Sequence, residues 1–586
     1  MSNPAPASAA AAPSRAARIR AKRWAIYPTA PDDQFTRFAD LPPVVVQILY
    51  NRGLTDPAAV AAFIQPDRPT PPDDLFQMAG MTRTVERIRQ AVRARESIAI
   101  YGDYDVDGVT ATALLVQTLT AFGADVRPYI PHRVDEGYGL NVEALEMLKK
   151  DGVRLVITVD CGTRSLAEVA HAKTIGLDLI ISDHHMPSDQ LPAAYALINP
   201  KQPDCPYPFK ELAGVGLAFK IAQALLIVDR RDDAQQVTLQ EDDLLDLVAL
   251  GTVADLAPLL DENRSLVARG LRQLKATTRP GLRALINLSR ASIIDTTTIG
   301  FTLGPRLNAA GRLAHALNAY HLLMTADAAE ADRLALDLDS RNRDRQTLTR
   351  ELSDKARELI LSRTDGAALL FAADPDFKSG VVGLVASRLT EEFYRPSVVI
   401  EQGPVESRGS CRSIPEFHIT RALDECGQLF VRHGGHAAAA GFTIETTKLA
   451  ELSARLEAIA QRELGGQELM PTLSIDAVVP LHKLKADLFS ALQQLEPHGY
   501  ANPQPIFASK HVSIIEIRTV GADASHLKLR VSDGSVIFDA IAFRFGPLVT
   551  RFSRGDKIDL AYTFEENEWN GEKRFQLNVK DIKLSA

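Results

Sequence analysis

The chain has 586 residues, of which 46% are hydrophobic and 24% are charged, the balance of an ordinary globular protein. At roughly 150 residues per domain this length predicts about three or four folding units, and the composition excludes a disordered chain, a collagen-like fibre and a small disulfide scaffold. The 66 Lys and Arg residues are outnumbered by 74 Asp and Glu residues, so the formal net charge is −8. Because nucleic-acid binders usually carry excess positive charge, a mildly acidic chain is not an obvious member of that class.

The ends and the cysteines limit the cellular setting. Four cysteines in so long a chain do not make a disulfide framework, and a reducing, cytoplasmic setting follows. No apolar run is long enough to span a membrane. The first 23 residues are rich in Ala, Pro and Arg and contain no acid, which favours a disordered basic tail over an organelle transit peptide. We expect this tail and a helical segment to occupy residues 1–75.

From about Met81, short apolar runs alternate with helical patterns, which predicts a parallel sheet covered on both faces. Residues 97–101, 126–130, 154–159 and 177–182 are the predicted strands, and 109–122, 141–150 and 165–175 the predicted helices. This α/β domain is placed at residues 76–325. Residues 326–365 form a helical pattern that is too long for one compact lobe, so we expect a connecting long helix there.

The remaining chain predicts two further domains. Residues 366–465 mix strands and helices in a smaller α/β pattern. Residues 472–586 contain five short alternating strands, with hairpin signals at Asp533-Gly534 and Asn570-Gly571, and predict a β-barrel that is OB-like. Such a barrel would offer stacking and electrostatic contacts to a single strand, for which the candidate aromatic residues are Tyr500, Phe507, Phe543 and Phe545.

Acids and histidines follow the predicted parallel strands, whose carboxyl ends meet at one edge of a sheet. They are Asp103, Asp105 and Asp107 after the first strand, Asp160 after the third, Asp183, His184 and His185 after the fourth, and Asp255 further on. So many carboxylates would repel one another as bare anions, and divalent cations remove that repulsion. Oxygen ligands with imidazole suit two Mn²⁺ or Mg²⁺ ions, as in phosphoryl hydrolysis.

The sequence contains patterns for two other metal sites. The DxDxDG pattern at Asp103 resembles the start of a calcium loop, but position twelve of that loop is Leu114 rather than Glu, which excludes it. A zinc set can be drawn from residues whose spacing is irregular, and ordinary core or site roles are favoured for them: Cys411, Cys426, His433 and His436.

A second set of candidate residues has the character of phosphate ligands, because Arg binds phosphate bidentately and glycine turns expose backbone N–H groups. It comprises Arg306, Asn308 and Arg312 in GPRLNAAGR, Ser410 and Arg412 in GSCRS, and Gly435 and His436 in GGHAAAAG.

These motifs carry a family resemblance. GDYDVDG, TVDCG, SDHH and GTVADLAPL resemble the four ordered motifs of the DHH phosphoesterase superfamily, and GSCRSIPEFH and GGHAAAAGF resemble its DHHA1-type domain. The resemblance runs from about Ile98 to the end of the chain. GPRLNAAGR and the terminal barrel indicate the branch of single-strand-specific exonucleases within the superfamily.

The resemblance implies roles for individual residues. The implied metal ligands are Asp103, Asp105, Asp107, Asp160, His184 and Asp255, with Asp160 between two ions and with Asp183 and His185 in support. The implied catalytic residues are Asp105, Asp107, Asp160, His184, His185, Asp255 and His436. The implied substrate-binding residues are Arg133, Arg306, Asn308, Arg312, Ser410, Arg412, Gly435 and His436. Cys411 stands where a small residue is expected, and an accessible thiol beside Arg412 would be sensitive to oxidation.

The implied activity is metal-dependent 5′-to-3′ hydrolysis of single-stranded DNA in recombination and repair, in a cleft between two lobes. The implied partners are single-strand-binding protein and a RecQ-type helicase, and we expect a monomer. Two alternatives stay open at this point. One is a related phosphodiesterase acting on short oligonucleotides or cyclic dinucleotides, which would not need the barrel. The other is a non-catalytic scaffold, which would be expected to have lost metal ligands.

Overall fold

The computed structural model describes residues 21–66, 74–133, 135–231, 237–313, 315–363, 366–569 and 572–585. The expected basic tail therefore lies almost wholly outside the described residues, as does the hairpin signal at Asn570-Gly571. The chain forms two compact units. One contains Thr55–Leu352 and Gln493–Gln504, and the other contains Ser353–Leu492, Pro505–Ala586 and the described part of Met1–Leu54. No helix of the described residues is both long enough and apolar enough to cross a membrane.

The N-terminal segment contains more than the expected helices. It begins with a strand and continues through four helices: β1 (Arg23–Ile26), α1 (Asp32–Arg37), α2 (Pro43–Asn51), α3 (Pro57–Ile64) and α4 (Met81–Ala94). The sequence offers no alternating pattern strong enough to predict a strand of four residues at β1. That strand is defined by a partner far along the chain.

The first α/β domain is built on a parallel sheet of five strands in the order β3-β2-β4-β5-β6. The strands are β2 (Ser97–Tyr101), β3 (Val126–Tyr129), β4 (Val153–Val159), β5 (Asp178–Ser182) and β6 (Ala196–Ile198). The helices between and after them are α5 (Val106–Ala121), α6 (Val142–Lys150), α7 (Leu166–Thr174) and α8 (Gly214–Arg231). The register pairs Ile100 with Ile157 and Ile157 with Ile180, so the apolar strands form a continuous buried layer.

Helix α5 explains how this domain positions its polar loops. Its side chains are buried along nearly the whole helix, against the sheet and α8. A helix that is apolar on all sides is held inside a core. The loop that precedes α5 is therefore fixed at the carboxyl edge of the sheet.

Helices complete this unit. They are α9 (Leu245–Ala254), α10 (Asp261–Lys275), α11 (Pro280–Ser289), α12 (Thr296–Thr298), α13 (Gly304–Leu313), α14 (Leu317–Met324) and α15 (Ala328–Arg363). A π-helical turn, Ile299–Leu303, joins α12 to α13. The predicted long helix is confirmed as α15, and the boundary between the two units falls inside it, between Leu352 and Ser353.

The smaller α/β domain has a mixed sheet in the order β10-β11-β9-β8-β7, of which only the pair β7 and β8 is parallel. Its elements are β7 (Leu370–Asp374), α16 (Ser379–Phe393), β8 (Ser397–Glu401), β9 (Glu406–Arg412), α17 (Ile419–Glu425), β10 (Phe430–Gly435), β11 (Ala439–Glu445) and α18 (Leu449–Leu464).

The C-terminal residues form the expected closed barrel. After β12 (Thr472–Ile475), β13 (Ala477–Val478) and α19 (Ala486–Gln493), it consists of β14 (Phe507–Val520), β15 (His526–Ser532), β16 (Ile537–Ala542), β17 (Lys557–Trp569) and β18 (Glu572–Leu584). The order β14-β15-β16-β18-β17 closes through pairing of β14 with β17, and β16 with β18 is the parallel pair. This confirms the predicted OB-like barrel.

Strand β1 pairs in parallel with β12, and Trp24 Nε1 donates a hydrogen bond to Asp581 Oδ2 over 2.7 Å. The N-terminal segment is thus attached to the C-terminal part of the chain, which the sequence did not predict.

Candidate active site

The loop between β2 and α5 carries three of the predicted acids. Asp105 is the N-cap of α5, and its Oδ1 accepts the backbone N–H of Gly108 over 3.1 Å. A Cβ at Gly108 would lie 2.6 Å from the backbone N of Asp103, so only glycine allows the loop to fold this tightly. Asp103 and Asp107 are buried as a consequence.

The ends of β4 and β5 bring the next acids to the same edge. Asp160 follows β4 with a φ of 63°, a conformation that non-glycine residues rarely adopt and that often marks functional sites. Its carboxylate Oδ1 lies 3.0 Å from Nε2 of His184, which follows β5. The same imidazole nitrogen lies 3.8 Å from Asp107 Oδ2 and 3.8 Å from Asp255 Oδ2. His184 is therefore the point at which acids from three segments meet.

Three groups of potential ligand atoms lie within 4.8 Å of one another in the described residues. They are Asp160 with His184 and His185, Asp107 with His184 and Asp255, and Asp103 with Asp105 and Asp160. Asp160 belongs to two groups, and so does His184. The three groups bring together seven of the eight predicted acids and histidines, all except Asp183.

The buried acids of this cluster lack enough positive charge nearby to hold them all as anions. Burial, followed by the charge of Asp105, raises the pKa of Asp107 to about 7. Burial and the charge of Asp107 raise the pKa of Asp255 to about 9 and that of Asp160 well above its usual range. Burial also lowers the pKa of His184 to about 3, so its imidazole is neutral and able to act as a metal ligand.

The residues fit a divalent metal. Asp103 Oδ1 is buried and has no hydrogen-bond partner among the described residues, and the pKa of Asp103 is raised well above its usual range, first by burial and then by Asp105. An orphaned buried carboxylate oxygen is costly unless a cation or another partner satisfies it. Carboxylates with a neutral imidazole are a donor set suited to Mn²⁺ or Mg²⁺.

Asp183 and His185 behave differently from the rest. Asp183 Oδ1 lies 2.7 Å from His185 Nδ1, and Asp183 Oδ2 accepts the backbone N–H of Thr163 over 2.9 Å. Burial, the largest single influence, would raise the pKa of Asp183, but the hydrogen bonds from His185 and Thr163 and the charge of His185 together hold that pKa well below its usual range. Burial likewise lowers the pKa of His185, but the bond to Asp183 and the charges of the surrounding acids together raise it. Asp183 thus supports the cluster as a hydrogen-bonded anion.

Helix α8 gives Asp107 a support that the sequence does not predict. The backbone N–H groups of Gly214 and Val215, at the N-terminus of α8, donate to the two carboxylate oxygens of Asp107 over 2.6 and 2.8 Å. A Cβ at Gly214 would lie 2.7 Å from the Cβ of Asp160. The signal in the sequence was the glycine pair of AGVGLAFK at the start of an apolar helix.

Tyr138 was also missed. Its hydroxyl donates to the backbone O of Asp160 over 3.2 Å and lies 3.2 Å from His185 Nδ1. A lone tyrosine in the loop after β3 carries no pattern that sequence reasoning could have used.

Of the predicted phosphate ligands in this unit, three lie near the loop that carries the acids and one is paired elsewhere. Asn308 Oδ1 accepts the backbone N–H of Val106 over 3.2 Å, which joins α13 to the loop of acids. The guanidinium carbon of Arg133 lies 4.7 Å from the centre of the Tyr104 ring, and the charge of Arg312 acts on that same tyrosine. Arg306 instead makes an ion pair of 2.9 Å with Asp339 on α15 and donates to the backbone O of Thr302.

The other predicted ligands lie in the second unit. Ser410 and Arg412 are two residues apart on β9, so both side chains face the same side of the strand, and Arg412 Nη1 donates to Ser410 Oγ over 3.2 Å. Gly435, with a φ of 154°, and exposed His436 lie at the turn between β10 and β11, which the mutual backbone hydrogen bonds of His436 and Ala439 close.

Two expectations about single residues were wrong. Cys411 is fully buried in the core of the smaller α/β domain, and burial raises the pKa of its thiol to about 12, so it is not a reactive thiol. Phe507 is 1% exposed and packs its ring near that of Tyr562, so it cannot stack on a base. Tyr500 and Phe543 are exposed, and Phe545 is half-buried. Among the described residues, no group of potential ligand atoms unites the alternative zinc set.

Models of three known domain families match the chain. They are "DHH family, N-terminal domain" over residues 97–252, "DHHA1 domain" over residues 366–462 and "RecJ OB domain" over residues 475–581.

Curated relatives extend these matches over most of the chain. The single-stranded-DNA-specific exonuclease RecJ of Bacillus subtilis is 39% identical over 569 residues, covering 96% of this chain and 71% of the relative. RecJ of Escherichia coli is 34% identical over 563 residues, covering 93% of this chain and 96% of the relative.

The fold matches solved structures as well. The crystal structure of RecJ in complex with Mn²⁺ from Thermus thermophilus superposes with a TM-score of 0.82, at 30% identity over 97% of this chain and 80% of that one. The corresponding structure with Mg²⁺ gives a TM-score of 0.75 at 29% identity, over 96% of this chain and 79% of that one. By sequence, domain order and fold, this chain belongs to the RecJ family.

Proposed function

We propose that the protein is a metal-dependent exonuclease that hydrolyses phosphodiester bonds of single-stranded DNA. The observation that carries the proposal is the cluster of acids and imidazoles around His184, in a chain whose relatives are named single-stranded-DNA-specific exonucleases. The 5′-to-3′ direction and a cytoplasmic role in recombination and repair belong to the same proposal. So do a monomeric state and cooperation with single-strand-binding protein and a RecQ-type helicase, all of which follow from the family resemblance.

Two divalent ions, Mn²⁺ or Mg²⁺, are the proposed cofactors, since the related structures contain one or the other. The proposed ligands are Asp103, Asp105, Asp107, Asp160, His184 and Asp255. Asp160 and His184 each contribute to two of the three groups of potential ligand atoms, and the family resemblance implies that Asp160 would serve both ions. When bound, such ions supply Lewis-acid activation of water and neutralise charge on the reacting phosphate.

His185 is the proposed proton carrier. Its Nδ1 is engaged by Asp183, which orients the ring and leaves Nε2 as the nitrogen available to exchange a proton with water or with the leaving oxygen. The hydroxyl of Tyr138 also contacts Nδ1 of His185, next to Asp183. The hydrogen bonds hold the ring in one orientation, which a proton carrier requires.

The substrate phosphates are assigned to Arg133, Arg306, Asn308, Arg312, Ser410, Arg412, Gly435 and His436. Arg412 is the strongest member in the second unit, because its bonds to Ser410 Oγ and to the backbone O of Cys411 fix its guanidinium group. Gly383 on α16 supports this arrangement, since a Cβ there would lie 3.1 Å from Ser410 Oγ and 3.2 Å from Arg412 Nη2. His436 is exposed at its turn and is assigned to the scissile phosphate.

The test is hydrolysis of single- and double-stranded oligonucleotides labelled at the 5′ or the 3′ end, with Mn²⁺ or Mg²⁺ titrated into metal-free protein. We expect mononucleotides to be released from the 5′ end of single strands, and no product without metal. Asp160→Asn should abolish hydrolysis and retain DNA binding, whereas Asp189→Asn, an exposed acid in the loop after β5, should behave as wild type. Hydrolysis by the Asp160→Asn protein would contradict the assignment.

The same substrates separate the alternative activity. A phosphodiesterase for short oligonucleotides would cleave dinucleotides faster than long strands, and its rate would not depend on the barrel. Faster hydrolysis of dinucleotides than of long strands by the full chain would overturn the proposed exonuclease.

A further inference from the structure

Beside Asp255, the unit that contains the acidic cluster has a cavity of about 640 Å³. This size falls in the range of ligand pockets, about 300–1,000 Å³. Its lining includes three large apolar side chains that are mostly exposed: Leu256 at 68%, Phe301 at 81% and Tyr500 at 62%. Proteins rarely leave several such side chains exposed together unless the patch contacts a ligand or partner.

A strained turn links the cavity to the cluster. Asp255 ends α9 and directs its carboxylate to within 3.8 Å of His184 Nε2, while the next residue, Leu256, lines the cavity. Leu256 has a φ of 60°, which L-residues with large side chains rarely adopt. Strain of this kind persists where the surrounding structure enforces it and is common at functional sites. The turn therefore places the proposed metal ligand Asp255 directly before Leu256, which forms part of the apolar wall of the cavity.

The loop that carries Tyr500 is held rigidly. Buried Arg264 on α10 donates to the backbone oxygens of four consecutive loop residues, which are Gln494, Leu495, Glu496 and Pro497. Asn502, also buried, donates to two of the same oxygens, and the backbone O of Tyr500 accepts the N–H of Leu259 over 2.9 Å. An exposed ring on a fixed backbone loses little entropy when it binds a ligand.

The remaining wall adds an aromatic ring and charged groups of both signs. Phe301 lies in the π-helical turn before α13, an irregularity that occurs often at functional sites. Exposed Arg272 and Lys275 on α10 also line the cavity, together with the acids Asp295 and Glu496. Apolar rings beside polar groups of both signs suit a ligand with a flat apolar face and a polar edge.

We propose that this cavity binds one unpaired base of the DNA strand, next to the phosphate that the acidic cluster acts on. The inference rests on the proposed exonuclease function and deepens it. The base stacks against Tyr500 or Phe301 and contacts Leu256. A paired base has both faces stacked and its edge hydrogen-bonded, so it cannot enter without first leaving the duplex. The cavity thereby contributes to the selectivity for single strands, and it does so without preference for one base.

The experiment is a double-mutant cycle between protein and DNA. A single abasic site is moved one position at a time from the 5′ end of a single-stranded oligonucleotide, and kcat/KM is measured for wild type, Phe301→Ala and Tyr500→Ala with Mn²⁺. For wild type we expect a loss of about tenfold to a hundredfold at one position near the 5′ end. On unmodified DNA the alanine variant of the ring that stacks should lose a similar factor, and the abasic site at that position should cost that variant nothing further.

Controls keep the outcomes distinct. Phe301→Tyr and Tyr500→Phe preserve an aromatic face and should regain most of the rate that the alanine variants lose. Tyr27→Ala removes an exposed ring from the other unit and should change nothing. The contrary outcome is that wild type hydrolyses single strands but that, for both alanine variants, the loss in kcat/KM from the substitution multiplies with the loss from the abasic site at every position. That outcome overturns the inference. Absence of hydrolysis by wild type would instead overturn the proposed function.

Discussion

Oδ1 of Asp183 lies 2.7 Å from the ring nitrogen Nδ1 of His185 and also accepts the backbone N–H of His185 over 3.1 Å. A single carboxylate oxygen therefore fixes both the backbone and the ring of the proposed proton carrier. The other oxygen is fixed by Thr163, so the carboxylate itself cannot rotate. Orientation of the imidazole is thus determined by the strand end that carries both residues.

Asp183→Asn should reduce hydrolysis more than DNA binding. The amide keeps the size of the carboxylate but removes the charge that orients the His185 ring, and such supporting groups typically contribute about 10- to 100-fold in activity. We expect kcat to fall by that factor, measured in single-turnover hydrolysis, with DNA affinity within about twofold of wild type. Asp189→Asn is the matched control, and an equal loss in both variants would show that the effect is not specific to Asp183.

The metal-free protein should lose stability as the pH rises. Because the pKa of Asp107 is raised to about 7 and that of Asp255 to about 9, the folded state binds more protons than the unfolded chain above about pH 4. The resulting stability is fully present below the unfolded pKa and is lost as the pH rises through the folded values. We expect Tm in a chelator to fall between about pH 5 and pH 9, and Mn²⁺ to remove most of that fall.

Variants test the source of this pH dependence. Asp255→Asn cannot titrate, so its Tm in a chelator should change less with pH than that of wild type. An unchanged slope in the variant, measured by scanning calorimetry, would assign the effect to other groups.

Arg312 and Arg306 should differ in their contribution to DNA binding. Arg306 is paired with Asp339 and bonded to Thr302, whereas Arg312 is on the side of α13 that meets Tyr104. Arg312→Ala should weaken binding and reduce the slope of log K against log salt concentration by about 1, as expected for a lost phosphate contact. Arg306→Ala should change that slope less, and Arg283→Ala, an exposed control on α11, should not change it.

Arg264→Met should destabilise the unit that contains the acidic cluster. The substitution keeps an apolar stem over Phe63 but removes hydrogen bonds to five backbone oxygens, with Arg264 Nε donating to Phe63 O over 2.9 Å in addition to the four in the loop. Leaving buried carbonyls without donors predicts a cost of at least about 3 kcal/mol. The measurement is the free energy of unfolding in urea, and Arg283→Met should stay within about 0.5 kcal/mol of wild type.

The sequence was most informative where local pattern and chemistry coincide. Strand β2 has the predicted bounds Ser97–Tyr101, because its apolar run ends abruptly at a glycine and three acids. The acids could be assigned to one edge because parallel strands share their carboxyl ends. Asp255 was included from its position at the end of an apolar segment, and the structure brings it to 3.8 Å from His184.

What could not be predicted depends on contacts between distant segments. The bonds from the N-terminus of α8 to Asp107 depend on backbone N–H groups, which every sequence has, so only the glycine at 214 gave a hint. Arg264 looks like any helix arginine until the loop from residue 493 to residue 504 is placed against it. Likewise, the opposite directions of Arg306 and Asn308 follow from the exact rotation of α13, since two residues on a helix differ by about 200°.

The parallel pairing of β1 with β12 constrains the order in which the chain can fold during synthesis. Thr472 follows Arg23 by 472 − 23 = 449 residues, so the first strand has to wait for its partner. At about 5–20 residues per second, that interval is roughly 20 to 90 seconds. The unit with the acidic cluster waits as well, because Arg264 has no loop to hold until the ribosome has passed residue 497. Until then, the nascent chain lacks the segment that carries Tyr500. The acids of the cluster are therefore synthesised well before the surface beside them is complete.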